Sequence, residues 1–323
     1  MLWRPLLYCC LLAACGPGGG GPSSPTATPR RGPPGGASAK DRTQRWQNDV
    51  EQLATELAER HVDPFARVSR EVFVAAADAL AEEVDSLSDP EVVVRMMALV
   101  ALLGDPQTTL DVVPYAGFRR LPLDLDAFSD GVFVTRADER NREAVGRRVE
   151  RVEKSSMAEA TEALAGVVAY ENESWRRVLL VDLLKCPESL EARGVVGDAA
   201  KVKFTLSGPA GEPFELAVTA APRDPVDFGP EPETLPLYRQ HPELGYWLAF
   251  LDDTETLYVS YRRAADLSSE PVAGFAARAL ETLDSEPVRL LVLDLRESTG
   301  DDPSPLFQAV ANDARVLLRK PKV

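Results

Sequence analysis

The sequence predicts a mixed α+β / α/β chain: a helical N-terminal region, then a strand-rich module with interspersed helices, then part of a parallel α/β core. Three observations predict it. Apolar residues recur at helical spacing from Trp46 to Leu57 and again up to Leu103. Short β-type runs replace them after Pro114. Residues 288–295, VRLLVLDL, are apolar on both faces directly after a helix, as in the strand that closes a βαβ unit.

In the first region, residues 41–110, Trp46, Val50, Leu53 and Leu57 fall at i, i+4, i+7 and i+11, which makes one side of a helix apolar. Asp41 can cap its start. A second helix starts near Ser69 and turns Val72, Ala76, Leu80 and Val84 inward. Ser88-Asp89-Pro90-Glu91 opens a third: Ser and Glu have capping-box spacing, and proline sits in the first turn, where its missing N–H is not needed. This helix ends at Leu103 with Gly104 as the stop. Three amphipathic helices with short connections form a small bundle or lid.

In residues 115–221 the strands are 131–136, 148–153, 201–206 and 214–219, the last two joined as a hairpin through 208–213. Helices at 157–168 and 173–184 sit among them, giving a compact α+β module. Residues 222–244 carry Pro222, Pro225, Pro230, Pro232, Pro236 and Pro242 and read as a connection wrapping over the surface. Residues 245–323 resume regular structure. A strand at 257–261 precedes a helix at 271–283 with Val272, Phe275, Ala276 and Ala279 inward, then come the strand at 288–295 and a helix at 304–318.

The start of the chain is of another kind. MLWRPLLYCCLLAAC has a positive start at Arg4, an apolar stretch from Leu6 to Ala14 and small residues before a cysteine, which reads as an export signal. Leu12-Ala13-Ala14-Cys15 also resembles the bacterial lipobox, which implies cleavage before Cys15 and a diacylglycerol on its thiol; a plain secretory peptide is the alternative. The apolar run is far below the ~20 residues of a membrane span. Residues 16–40, rich in Gly and Pro with almost no apolar side chains, are a disordered tether that could reach on the order of 80 Å. Gly16 is not the aspartate that holds many such proteins at the inner membrane, so the outer membrane or its periplasmic face is the expected location.

Composition excludes several functions. With 51 Asp+Glu against 36 Lys+Arg, a formal charge of -15, and no basic cluster, the chain is not a nucleic-acid binder, and it meets a membrane only through its anchor. Cleavage leaves Cys186 as the one cysteine of the body, which excludes a disulfide framework. Two histidines, His61 and His241, and that thiol cannot supply a zinc site, so neither metal nor cofactor is expected. His61 ends a helix, where a cation suits the dipole; His241 reads as a solvated loop residue; and Leu251 to Glu255 reads as an acidic turn.

Three stretches in order carry a resemblance: Leu103-Gly104-Asp105-Pro106-Gln107-Thr108 after a helix, Asp130-Gly131-Val132-Phe133-Val134 opening the module, and Leu293-Asp294-Leu295-Arg296 closing a buried strand. From Trp46 onward the chain resembles the tail-specific, or C-terminal processing, serine proteases. The resemblance implies a PDZ-like α+β module that grips peptide ends and a partial crotonase-like α/β peptidase core. Val145 to Val149 is similar to the glycine turn and strand of a PDZ-like module, which implies peptide contacts at Gly146, Arg147, Arg148 and Val149. The alternative, that this turn only packs a sandwich, stays open.

The positions equivalent to the family's motifs are Gly104, Asp105, Gln107, Thr108, Asp294, Arg296, Ser298, Gly300 and Asp301, and several depart from the pattern. Gln107 stands where members often have histidine, and glutamine takes no proton near neutral pH. Ser298 replaces an asparagine, and Asp301 replaces a glycine beside a prospective oxyanion pocket, where a carboxylate opposes the charge to be stabilised. The family's nucleophile and base come from segments downstream of this point, and the sequence in hand ends at Val323. Ser298 and Ser304 read as a loop residue and a helix cap. The expectation is therefore a lipid-anchored protein that binds peptides or protein C-termini without cutting them. A serine peptidase whose gene product continues past Val323, and an envelope scaffold, are the alternatives. A strand left without a neighbour at 290–295 is expected to be marginal or covered in a dimer.

Overall fold

The computed structural model describes residues 39–110, 117–208, 210–222, 227–229, 235–296, 298–300 and 304–312. The signal, Cys15, nearly all of the tether, Asp301 and the last helix beyond residue 312 lie outside the described residues. The chain divides into two compact units, Met1–Gly229 and Pro230–Val323. Among the described residues no helix is long and apolar enough to cross a membrane.

The first unit begins with helices α1 (Ala39–Arg60), α2 (Arg70–Glu83) and α3 (Asp89–Ala101). α1 starts ahead of Asp41, which lies in the first turn rather than at the cap, where its charge still meets the free N–H groups. α2 is capped by Ser69, but its buried face is Phe73, Ala77 and Leu80, one residue on from the expected stripe at its start, and Val72 is 56% exposed. The shift has a physical cause: the two stripes share Leu80 and Val84, and the one that buries a phenylalanine removes more apolar surface from water than the one that buries a valine. α3 carries the expected capping box, with the Ser88 N–H donating to Glu91 Oε2 at 2.7 Å. It ends at Ala101, two residues early, and Gly104 takes a φ of +70°. Arg42 Nε and Trp46 Nε1 both donate to Asp89 Oδ1, at 2.7 and 2.8 Å, and tie the start of α1 to that of α3.

The rest of this unit contains β1 (Leu123–Phe128), β2 (Gly131–Ala137), β3 (Arg148–Val152), β4 (Ser155–Ser156), α4 (Met157–Ala165), α5 (Glu173–Leu183), α6 (Pro187–Ala192), β5 (Lys201–Ser207) and β6 (Pro213–Thr219). The sheet order is β1-β2-β3-β5-β6, antiparallel throughout, with β4 on β3. A bridge between Arg120 and Ala221 brings the two outer ends together at one corner. Leu123, Leu125, Val134, Val149, Leu164, Leu180, Phe204 and Leu206 form its core. The helical region is not set apart from this module: Val93, Val94 and Met97 of α3 pack with Phe118, Val167 and Cys186. β1, β4 and α6 are additions to the elements read from sequence in this unit.

In the second unit, β7 (Tyr246–Leu251) and β8 (Thr256–Tyr261) form an antiparallel hairpin; β9 (Arg263–Ala264), α7 (Val272–Ser285), β10 (Leu290–Asp294), β11 (Thr299–Gly300) and α8 (Ser304–Asn312) follow. β10 pairs with β8 in parallel and α7 connects them, which is the expected βαβ unit. Val272, Phe275, Ala276 and Ala279 are buried as expected. β10 itself is not buried on both faces. The sheet order is β10-β8-β7, so β8 is the enclosed strand and β10 pairs on one side only among the described residues, with Leu290 53% exposed. An apolar pattern on both faces fits any strand near a core and does not assign the central place.

Truncation of the fully buried Phe204 is expected to cost about 3–5 kcal/mol in Phe204→Ala. Loss of the cap in Ser88→Ala is expected to cost about 1 kcal/mol. Urea unfolding followed by far-UV circular dichroism measures both, and equal losses would contradict this account of the core.

Candidate functional site

Gly104, Asp105, Gln107 and Thr108 come together in the turn after α3. Asp105 Oδ2 accepts from Thr108 Oγ1 at 2.7 Å, and Oδ1 accepts from the Gln107 N–H at 3.0 Å. His61 Nε2 lies 2.9 Å from Asp105 Oδ2. The His61 ring also accepts the Asp63 N–H at Nδ1, at 3.1 Å, so its own proton sits on Nε2 and is donated to Asp105. Both ring nitrogens are engaged, and neither is left to take a proton from a nucleophile. Burial would raise the Asp105 pKa, but the bonds from Thr108, Gln107 and His61 outweigh it and hold the carboxyl below its usual range. Gly104 is required: a Cβ there would stand 2.6 Å from Cδ of Arg67, on a backbone already at positive φ. The side chain of Gln107 is exposed.

In the second unit, Trp247, Ser260 and Asp294 stand opposite one another in register across β7, β8 and β10. Asp294, at the buried end of β10, has both oxygens occupied. Oδ2 accepts from Tyr258 Oη and from Arg296 Nη2, each at 2.5 Å. Oδ1 accepts from Arg296 Nε at 2.9 Å and from its N–H at 3.1 Å. Burial opposes the charge, yet the Arg296 and Tyr258 bonds prevail and hold Asp294 at about 2; burial and then the Asp294 carboxylate push Tyr258 up to about 12. Arg296 also lies 4.3 Å above the Tyr238 ring. Ser298 is exposed, its N–H bonded to the Leu295 carbonyl at 3.0 Å. Gly300 pairs with Ala264, and Ser304 opens α8.

His241 is exposed in a loop, as expected, and its segment is held in place. Arg262 donates to the carbonyls of Tyr238, Gln240 and His241 and so fastens the segment to the end of β8. The His241 ring meets Trp247 edge-on at 4.9 Å.

Gly146 takes a φ of +84°, and its N–H donates to the Val134 carbonyl at 2.8 Å. Arg147 stacks on Phe214 at 4.4 Å and reaches Glu212 at 3.3 Å. Val149 is buried in the core at 2% exposure. Of this quartet only Arg148 and Val149 border a cleft, and Arg148 is the one with a polar end to offer.

That cleft, of about 320 Å³, opens where β2 and β3 part. The two strands share one registered pair, Phe133↔Arg148. β3 then bulges at Glu150 against β5 and pairs with β4 from Arg151 onward. The β1–β2 turn with Phe128 forms one wall, and Met157 of α4 with Arg177 and Leu180 of α5 form the other. Of the peptide contacts named from sequence, Arg148 and Val149 line it, but the cleft itself was missed, since its walls come from five separate elements, β1, β2, β3, α4 and α5. Cys186 is no candidate nucleophile: burial pushes its thiol up to about 11.

No family model matches the sequence, and no curated protein matches it. Solved structures do. Mature CPAF complexed with lactacystin matches with a TM-score of 0.56 at 12% identity, over 83% of this chain and 58% of that one. A serine-to-alanine mutant of CPAF matches at 0.54 and 12% identity with the same coverage. CPAF is a chlamydial tail-specific serine protease. The chain has a tail-specific-protease-like fold. It spans less than two thirds of the length of these structures, and at such identity the likeness speaks for fold alone.

Because the folded pKa of Asp294 lies below the ~3.9 of an unfolded aspartate, its contribution to stability is complete above about pH 4 and is lost as pH falls toward about 2. Asp294→Asn should flatten the acid limb of the stability curve, and Tyr258→Phe should move acid unfolding to higher pH. Acid titration followed by circular dichroism tests this, and an acid limb unchanged in both variants would overturn it.

Proposed function

We propose that this is an exported, lipid-anchored envelope protein of the tail-specific protease family that binds extended peptides or protein C-termini and does not cut them. The observation that carries the reading is the cleft at the parting of β2 and β3. A strand that leaves its neighbour exposes main-chain groups, and an extended peptide can pair with them while its side chains enter an adjoining pocket, the mode of a PDZ-like module. Phe128 and Met157 provide the apolar surface and Arg148 a polar end.

The non-catalytic part of the proposal is supported by chemistry at the motif positions. Acyl transfer needs a nucleophile within hydrogen-bond reach of a base. Gln107 is no base, His61 has both nitrogens committed, and Asp294 is held as an anion by Arg296 and Tyr258. Anchoring is proposed on Cys15, at the outer membrane or the periplasmic face. A second reading, a serine peptidase in which these residues serve a longer catalytic core, is favoured by the likeness to a serine protease fold.

Fluorophosphonate labelling of the purified mature protein followed by mass spectrometry is expected to find no labelled serine, while a fluorescent peptide library read by anisotropy shows saturable binding. A labelled serine, lost on its substitution, would favour the peptidase reading. Absence of both labelling and binding would leave a scaffold. Cys15→Ser is expected to abolish incorporation of labelled palmitate, and undiminished incorporation would refute the anchor.

A further inference from the structure

We infer that the cleft selects peptides in which an acidic side chain neighbours an apolar one, with Arg177 and Arg148 as the specificity-determining residues. This rests on the peptide-binding reading and adds the chemistry of the ligand. The charges that line the cleft are Arg148, Arg176 and Arg177 against Glu150 and Glu173. Most are already engaged. Arg176 pairs with Glu162 and Glu173, each at 3.1 Å, and lies over the Tyr170 ring. Glu150 accepts from Ser207 Oγ at 2.6 Å and keeps only a 3.7 Å approach to Arg148.

Arg177 has no ion-pair partner among the described residues, and the lining itself carries three arginines against two glutamates in a chain whose net charge is -15. Gly131 settles the place of the second arginine. A Cβ at Gly131 would stand 2.6 Å from Nε of Arg148, so the absence of a side chain lets Arg148 lie across the β2 backbone at the edge of the cleft. Beside these cations, Phe128 is 47% exposed, holding Phe133 edge-on and keeping surface free. Met157, unbranched and adaptable, lines the opposite wall. Apolar surface flanked by an unpaired guanidinium is complementary to an apolar side chain next to a carboxylate.

The test uses the mature full-length protein and short fluorescent peptides, amidated at the C-terminus, in which one leucine is followed by Glu, Gln or Lys. A fourth peptide has Gln and a free C-terminal carboxylate. Anisotropy is expected to place the Glu peptide about tenfold tighter than the Gln peptide. Raising salt from about 0.05 to about 0.3 M should shrink that preference. Arg177→Gln, an exposed helix position, should bring the Glu peptide to the level of the Gln peptide and leave the Gln peptide unchanged. Arg148→Gln, at an exposed strand position, should weaken the preference with circular dichroism unaltered.

Equal binding of the Glu and Gln peptides, or a Glu preference untouched by Arg177→Gln, would overturn the inference while peptide binding stands. Tightest binding of the free-carboxylate peptide would overturn it by making the chain terminus the ligand. No binding by any of the four would overturn the inference, and failure of the wider peptide library would separately remove the reading on which it rests.

Discussion

Strand β3 pairs with β2, β4 and β5 and follows only β5 along its length. It stays with β5 along its length, taking a bulge at Glu150 to do so, and with β2 it shares the single pair Phe133↔Arg148. A bulge adds local twist and bends the strand that carries it, and the bend leads β3 away from β2 toward β4 and the start of α4. The wedge left behind has one wall from the β1–β2 turn and the other from α4 and α5. Elsewhere in the sheet Arg120 pairs with Ala221 and joins the segment before β1 to the one after β6. Core residues on both sides of the split, Val134 and Val149 among them, are fully packed, so the opening is a feature of strand pairing and not a packing defect.

The two motif carboxylates illustrate how residues suited to catalysis can serve architecture. Asp105 holds the turn after α3 through Thr108 and Gln107 and fixes the end of α1 through His61. Asp294 terminates β10 by accepting from Tyr258 on the neighbouring strand and from Arg296 two residues on. In both, burial alone would favour the neutral acid, and the hydrogen bonds reverse that balance. Carboxylates whose acceptor sites are used in this way anchor the turn after α3 and the end of β10.

Local signals in the sequence were legible wherever one stretch of chain determines the outcome. The Ser88/Glu91 capping box and the inward face of α7 depend on neighbours three or four residues away, and both are present. Strand β1 escaped notice because LDLDAF alternates aspartate with leucine: Asp is depleted in strands, yet here it points outward while Leu123 and Leu125 enter the core. α6, six residues long, is too short to display a period. The His61–Asp105 pair joins positions 44 residues apart, and neither residue carries a local mark of the other. The exposed place of β10 likewise depends on strand order, which an apolar run does not encode.

Net charge and local charge make opposite statements here, and distance decides between them. A charge of -15 spread over the chain acts through solvent, where interactions beyond a Debye length of about 8 Å at physiological salt are largely screened. A ligand seated in the cleft meets its lining groups within that distance and the remainder of the surface mostly outside it. The global charge therefore slows the approach of acidic partners without deciding what binds once contact is made. On the proposed peptide-binding reading that decision falls to the side chains at the parting of β2 and β3, where Arg176 is paired with Glu162 and Glu173 and Arg177 has no ion-pair partner among the described residues. The sheet and helices that frame the cleft belong to a chain with a tail-specific-protease-like fold; on the proposed reading, the chemistry the cleft selects is set by these few side chains.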